Sequence, residues 1–227
     1  MRVAIHQPNF APWSGFFAKM FTCEAFVFLD DAQMPGGSSY VNRTRIAKGG
    51  KSSQWLTVPA VKPGLPRICE VRIAQPQFAQ SHLSTLRNRY SNAAHRDEIL
   101  ELIRPVYMTA SIYLARFNMV LIQTIAEFLG WDGRFLLSTA RPSALGSDKR
   151  LAELVSCIGG TTYVSGAGGE RYQKQEVFRA SGVELDLKVY EPIRYFRSGW
   201  DWVPGLSCLD VLFHQGRSAR DSMRYQV

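Results

Sequence analysis

Apolar residues recur along the chain at two different spacings, and the change of spacing marks out its elements. Val3 to His6 is a short apolar strand that runs into the loop QPNFAPW. Phe16, Phe17, Met20 and Phe21 then put an apolar face on a helix over Gly15 to Cys23, for which Ser14 is the expected cap. Ala25 to Leu29 is a continuous apolar run that ends in Asp30-Asp31. A strand, a helix and a strand in such quick succession predict a βαβ unit with a parallel, buried strand pair. From Gln33 to Ile73 the runs are short and alternating (SYVNRTRI, QWLTVPAV, ICEVRIA), with Gly and Pro between them, which predicts antiparallel hairpins.

Helical spacing returns from Gln77 to about Trp131. Ile99, Leu102, Ile103 and Val106 form one stripe, with Pro105 expected to kink or break it. Leu114, Phe117, Leu121, Ile125, Phe128 and Leu129 form another, with Gly130 as its C-cap. Beyond Phe135 to Leu137, Ser147-Asp148 starts a helix that stops at Gly159-Gly160, and Thr161 to Val164 is a strand. A glycine-rich loop from Ser165 to Gly169 follows, then a helix over Tyr172 to Ala180, a strand over Val183 to Val189, and a closing helix over Ser207 to His214. The predicted class is α/β: a Rossmann-like, mainly parallel sheet flanked by helices. It carries a hairpin-rich insertion over about 33–73 and a helical segment over about 77–131. A single domain is expected over 1–216, with a polar tail over 217–227.

Composition narrows the chemistry. The chain has 227 residues, 46% of them hydrophobic, enough to build a core without disulfides or a structural metal. Cys23, Cys69, Cys157 and Cys208 are scattered, with no Cys/His cluster at metal-ligand spacing, so they read as ordinary thiols and no metal ligand is singled out among them; Asp30-Asp31 could hold a hard cation such as Mg²⁺ through water. No signal peptide and no membrane-length apolar run is visible, so a cytoplasmic protein is expected. A formal net charge of +8 points to an anionic partner. Part of the excess lies near Asn42-Arg43 and part near Arg87 to Arg96. With no recognised nucleic-acid module, the charge favours a small anionic or phosphorylated metabolite.

In open parallel sheets, ligands bind outside the carboxyl ends of the strands. Three strand ends carry chemistry there: His6-Gln7, Asp30-Asp31 and Ser165-Gly166. His6 is the side chain suited to proton transfer near neutrality, and Asp30 or Asp31 is expected to orient or assist it. The glycine-rich loop after Ser165-Gly166 can wrap its N–H groups around an anion, and Asn42-Arg43 on the hairpin can clamp one. Ser207, Cys208, Asp210 and His214 look like a nucleophile set, but Ser207-x-x-Asp210 is more simply a helix start with Ser207 as cap.

The segments IHQPNFAPWSGFFAKM, FVFLDDAQM, YVNRTRI, WLTVPA, SDKRLAELVSCIGGTTYVSGAGGERY and GLSCLDVLFHQG, in that order, resemble the WbqC-like protein family. The resemblance spans Val3 to Gly216. It adds Gln7, Asn42, Arg43, Tyr163, Ser165, Gly166 and Tyr172 as substrate-binding positions beside His6, Asp30 and Asp31. It implies work on an amino sugar, an amino acid derivative or another activated metabolite in surface-polysaccharide or amino-sugar biosynthesis. The loop NFAPWSGFF is also similar to the first motif of nucleotidyltransferases related to class I tRNA synthetases. Trp13 and Phe16 stand where that motif has histidines, so this likeness supports the βαβ start and leaves a nucleotidyltransferase-like enzyme as an alternative. The reading reached is a cytoplasmic group-transfer enzyme, acting by acyl or aminoacyl transfer or a related condensation or hydrolysis, with no cofactor identified. The competing reading is a non-catalytic protein whose basic hairpin recognises a carrier protein, an RNA such as aminoacyl-tRNA, or a sugar-nucleotide.

Overall fold

A computed structural model describes residues 1–37, 39–75, 77–169, 173–197 and 201–225. Strand β1 (Arg2–His6), helix α1 (Ser14–Met20) and strand β2 (Ala25–Phe28) form the opening unit, with β1 and β2 parallel. The hairpin β3 (Arg43–Gly49) and β4 (Ser52–Thr57) is antiparallel, as is the small pair β5 (Ala60–Val61) and β6 (Arg72–Ile73). Three helices follow, α2 (Phe78–Arg89), α3 (Arg96–Met108) and α4 (Leu114–Phe128). The chain then returns to the sheet through β7 (Arg134–Leu137), α5 (Ser147–Cys157), β8 (Thr162–Gly166), α6 (Gln175–Ala180) and β9 (Glu184–Lys188), and closes with α7 (Cys208–Gln215).

The main sheet has five strands in the order β7-β2-β1-β8-β9, every neighbouring pair parallel. The fold is therefore α/β and Rossmann-like, with small antiparallel sheets beside the main one. Strand order reverses at β1, so the crevice between β1 and β8 is the topological switch point. Successive strand residues face opposite sides. Ala4, Phe26, Phe28 and Val164 enter the larger core with α4 and α7, while Val3, Ile5, Ala25, Val27 and Tyr163 pack against α5 and α6. Both faces are covered, which explains the unbroken apolar runs of β1 and β2. Phe28 and Phe135 stack at 5.5 Å across β2 and β7. Burying each such ring contributes about 1.5–3 kcal/mol.

Several local expectations change. Ser14 is the first residue of α1 and not its cap; Trp13 takes the cap position with no side-chain hydrogen bond. The start of α1 is set by tertiary ties on the preceding loop, where the Ala11 carbonyl accepts from Thr44 Oγ1 (2.9 Å) and Ser207 Oγ (2.8 Å). Helix α3 continues past Pro105 to Met108, because the carbonyl that loses its donor belongs to the solvent-exposed Glu101. The segment Ile68–Glu70, read from the sequence as part of a strand, is a 3-10 turn. The closing stretch, expected as a polar tail, forms a 3-10 helix over Gly216–Ser222, where Ala219 and the following Met223 are fully buried. No helix among the described residues is long and apolar enough to cross a membrane.

Candidate functional site at the switch point

The register of β1 and β8 (Val3↔Tyr163, Ala4↔Val164) brings the ends of these strands to one rim. A crevice of about 400 Å³ opens there. His6, Tyr163, Ser165 and Gly166 line it, as do Gly168 and Gly169 of the glycine-rich loop. Lys19, Gln173 and Lys188 supply further polar groups, and Trp13, Phe16, Tyr190 and Tyr225 form aromatic walls.

His6 stands at the last position of β1. Its Nδ1 lies 3.0 Å from the Gln7 carbonyl, an acceptor, so the ring carries its proton on Nδ1 and leaves Nε2 as a lone-pair acceptor. The edge of the ring meets Phe16 at 4.9 Å. Burial, then the nearby Lys19 charge, push its pKa down to about 3, opposed by the Gln7 hydrogen bond. The imidazole is neutral throughout the physiological range.

Lys19 is only 5% exposed. Its Nζ donates to the Ile5 carbonyl at 3.1 Å, and it pairs with no carboxylate among the described residues. Burial pushes its pKa down to about 8. At pH 7 roughly nine in ten molecules therefore still carry the ammonium. A buried cation at a crevice, with no carboxylate partner among the described residues, makes this a candidate anion site. Sequence reasoning missed it, although its signal was present: one lysine within the apolar run FFAKMF.

Glycine is required at two places around the crevice. A Cβ on Gly15 would approach the Trp13 ring to 2.6 Å and Tyr190 to 2.8 Å, so its absence lets these rings pack edge to face at 5.2 Å. On Gly169 it would collide with Ser165 Oγ and Gln173 Oε1. Gln173 Nε2 reaches the Tyr163 hydroxyl at 3.4 Å, while its Oε1 is buried with no protein donor. Tyr190 is fixed by donating to the Ser222 carbonyl at 2.8 Å, so the docked C-terminal stretch helps to form the wall.

The other sequence-predicted residues lie elsewhere. Asp30 accepts from Ser138 Oγ (3.0 Å), Thr139 N (3.1 Å) and Thr139 Oγ1 (2.9 Å), which turns its carboxylate toward the end of β7. Asp31 pairs with Arg150 of α5 at 3.1 Å and meets Ser138 Oγ at 2.5 Å. Neither aspartate lines the crevice, and the partner that orients His6 is the backbone of Gln7. The carbonyl of Gln7 is thus the part of that residue engaged at the site. Asn42 and Arg43 belong to the hairpin, away from the crevice lining; Asn42 Nδ2 donates to the Val58 carbonyl at 3.3 Å. Tyr172 lies outside the described residues.

Ser207 caps α7, its hydroxyl accepting from Leu209 N at 3.2 Å, as its sequence position predicted. Asp210 is fully buried and binds Arg197 (3.1 Å) and the hydroxyls of Tyr90 (3.0 Å) and Tyr195 (2.5 Å). Cys208 is no thiolate nucleophile: burial pushes its thiol up to about 12. Among the described residues no three His, Cys, Asp or Glu side chains converge closely enough to hold a metal ion.

A model of the WbqC-like protein family matches residues 7–222 of the chain. A protein described as "Uncharacterized protein Rv1507c" from Mycobacterium tuberculosis (strain ATCC 25618 / H37Rv) is 33% identical over 228 residues, covering 99% of this chain and 98% of the relative. No solved structure matches significantly.

Proposed function

The chain belongs to the WbqC-like protein family, and we propose that this member is an enzyme that transfers an acyl or aminoacyl group to or from a small anionic metabolite held in the switch-point crevice. The observation that carries the proposal is the pairing, in one crevice, of a neutral His6 with a buried Lys19 that meets no carboxylate among the described residues. The anionic part of the substrate neutralises Lys19, and Trp13 and Tyr190 flank its body. Ser165 and the glycine-rich loop add hydrogen-bond donors.

Substrate binding also prepares the base. Burial is the larger cause of the low His6 pKa and Lys19 the smaller; an anion beside Lys19 offsets the second, so the basicity of Nε2 rises in the complex. Nε2 then takes the proton from an attacking hydroxyl or amine as that atom bonds to the acyl carbon, and returns it to the departing group as the old bond breaks. Asp30 and Asp31 are braces in this reading: they join the β2 rim to Ser138, Thr139 and Arg150.

Native mass spectrometry of the freshly purified protein tests the proposal. A co-purified anionic metabolite is expected on the wild type and absent from Lys19→Met. With that metabolite as substrate, His6→Gln should retain binding and lose turnover. An identical ligand load on wild type and Lys19→Met would refute the site.

A further inference from the structure

We propose that the outer face of the β3–β4 hairpin is a second binding site, which takes single-stranded RNA by stacking bases on Trp55 and Tyr40 and holding phosphates on Arg43 and Lys62. Positive charge is concentrated in the stretch of chain that carries this hairpin. Between Asp31 and Asp97 the chain holds ten lysines and arginines against a single acid, Glu70, a net of +9; the remaining 17 basic and 18 acidic residues nearly cancel. The whole excess thus belongs to the stretch that runs from the hairpins through α2 to Arg96 at the start of α3. Arg89 of α2 donates to the Lys48 carbonyl at 2.7 Å, which joins the two.

The register pairs Arg43 with Thr57 and Arg45 with Trp55, so alternation puts these four on one face, while Ile46 and Leu56 enter the core from the other. One end of the outer face is closed, where Ala47 packs against Val203 and Leu206 and Arg45 donates to Ser53 Oγ at 2.8 Å. The other end is open. Trp55 is 43% and Tyr40 56% exposed, their rings 5.7 Å apart, and the Arg43 guanidinium lies 3.8 Å from the centre of the Trp55 ring.

Lys62 Nζ is fixed nearby by the Gly37 carbonyl (3.1 Å) and Asn42 Oδ1 (3.3 Å). Neither Arg43 nor Lys62 pairs with a carboxylate among the described residues. Burial and then the charge of Arg43 lower the Lys62 pKa, a repulsion that a phosphate between them would relieve.

Two exposed aromatic rings beside two fixed cations match a base-stacking platform with backbone contacts. An acidic protein would satisfy the cations and leave the rings without a role. A duplex hides its base faces, and cellular DNA is mostly duplex, which leaves single-stranded RNA as the fitting partner. None of these residues lines the switch-point crevice, so the two sites stand or fall separately.

Fluorescence anisotropy of the full-length protein with a labelled single-stranded RNA of about twelve nucleotides tests this. Binding should weaken at least fivefold in Trp55→Ala and in Tyr40→Ala, two exposed positions at which the fold should persist. It should lose roughly 0.7 from its logarithmic salt slope for each of Arg43→Ala and Lys62→Ala. Lys19→Met should bind the RNA as the wild type does. Equal affinity for duplex RNA or poly-glutamate, or full affinity in both aromatic variants, would overturn the proposal.

Discussion

Replacing Lys19 with methionine should make the protein more stable while removing its ability to hold an anion. The ammonium is buried, and its pKa falls from an ordinary 10.5 to about 8. At about 1.4 kcal/mol per pKa unit, the charged side chain costs the fold on the order of 3 kcal/mol at pH 7. Methionine fills a similar volume with no charge. It also gives up the hydrogen bond to the Ile5 carbonyl, which contributes about 1 kcal/mol. The net expectation is a gain of about 2 kcal/mol at pH 7.

The sign with pH is fixed by linkage. Between pH 8 and 10.5 the unfolded chain still binds this proton and the folded chain has released it, so wild-type stability rises over that interval through this group. The variant lacks the group, and its advantage should shrink to near zero by about pH 9.5–10. Urea denaturation of both proteins at pH 7 and pH 9.5 measures the difference, with groups common to the two proteins cancelling. A variant less stable than wild type at pH 7, or a difference that does not change with pH, would show that Lys19 is not a desolvated cation. A stabilising loss of a polar group is expected where a residue is retained for binding and not for folding.

Asp210→Ala should act in the opposite direction. It removes the buried carboxylate of Arg197 and the acceptor of two tyrosine hydroxyls, a loss of about 3–5 kcal/mol that calorimetry should register as a markedly lower Tm. A thiol reagent at pH 8 should modify the exposed Cys157 in the native protein, and Cys23 and Cys208 only after denaturation, because burial pushes their thiols up to about 11 and about 12. His6 and His82 are held neutral, with pKa values of about 3 and about 4, whereas the unfolded chain protonates them near 6.5. Stability should therefore decline as pH falls from about 6.5 toward 4, and a melting series in that range would detect it. Gly169→Ala drives a methyl group into Ser165 Oγ and Gln173 Oε1, and should weaken phosphate binding at the crevice severalfold with little change in Tm, as titration calorimetry can check.

The local chemistry of the chain was legible wherever neighbours in sequence are also neighbours in space. The β1-α1-β2 unit follows from one apolar run, one helical stripe and a second run, because parallel strands joined by a helix leave little choice of pairing. Ser207 as a cap and Gly130 as a helix stop follow from backbone groups within a few residues of each other. His6, Ser165 and Gly166 could be placed at strand ends for the same reason, and the switch-point rule then brought them to one rim.

What depends on distant contacts was decided only by the tertiary structure. The pairing of Val3 with Tyr163 sets the strand order and creates the crevice, yet it joins residues whose separation leaves no local trace. Asp30 and Asp31 end their strand as expected, but Ser138, Thr139 and Arg150 claim their oxygens. Ala11 takes a left-handed φ of 37°, which no alanine favours alone; the hydroxyls of Thr44 and Ser207 on its carbonyl hold it there. Lys19 is the clearest case. A lysine next to apolar residues is ordinarily a solvated helix position, and only packing against β1 removes its ammonium from water and sets it at the crevice. The sequence by itself thus determined the elements and the types of group available. Burial and the direction of each charge are properties of the whole packed chain, so only the tertiary structure could assign them.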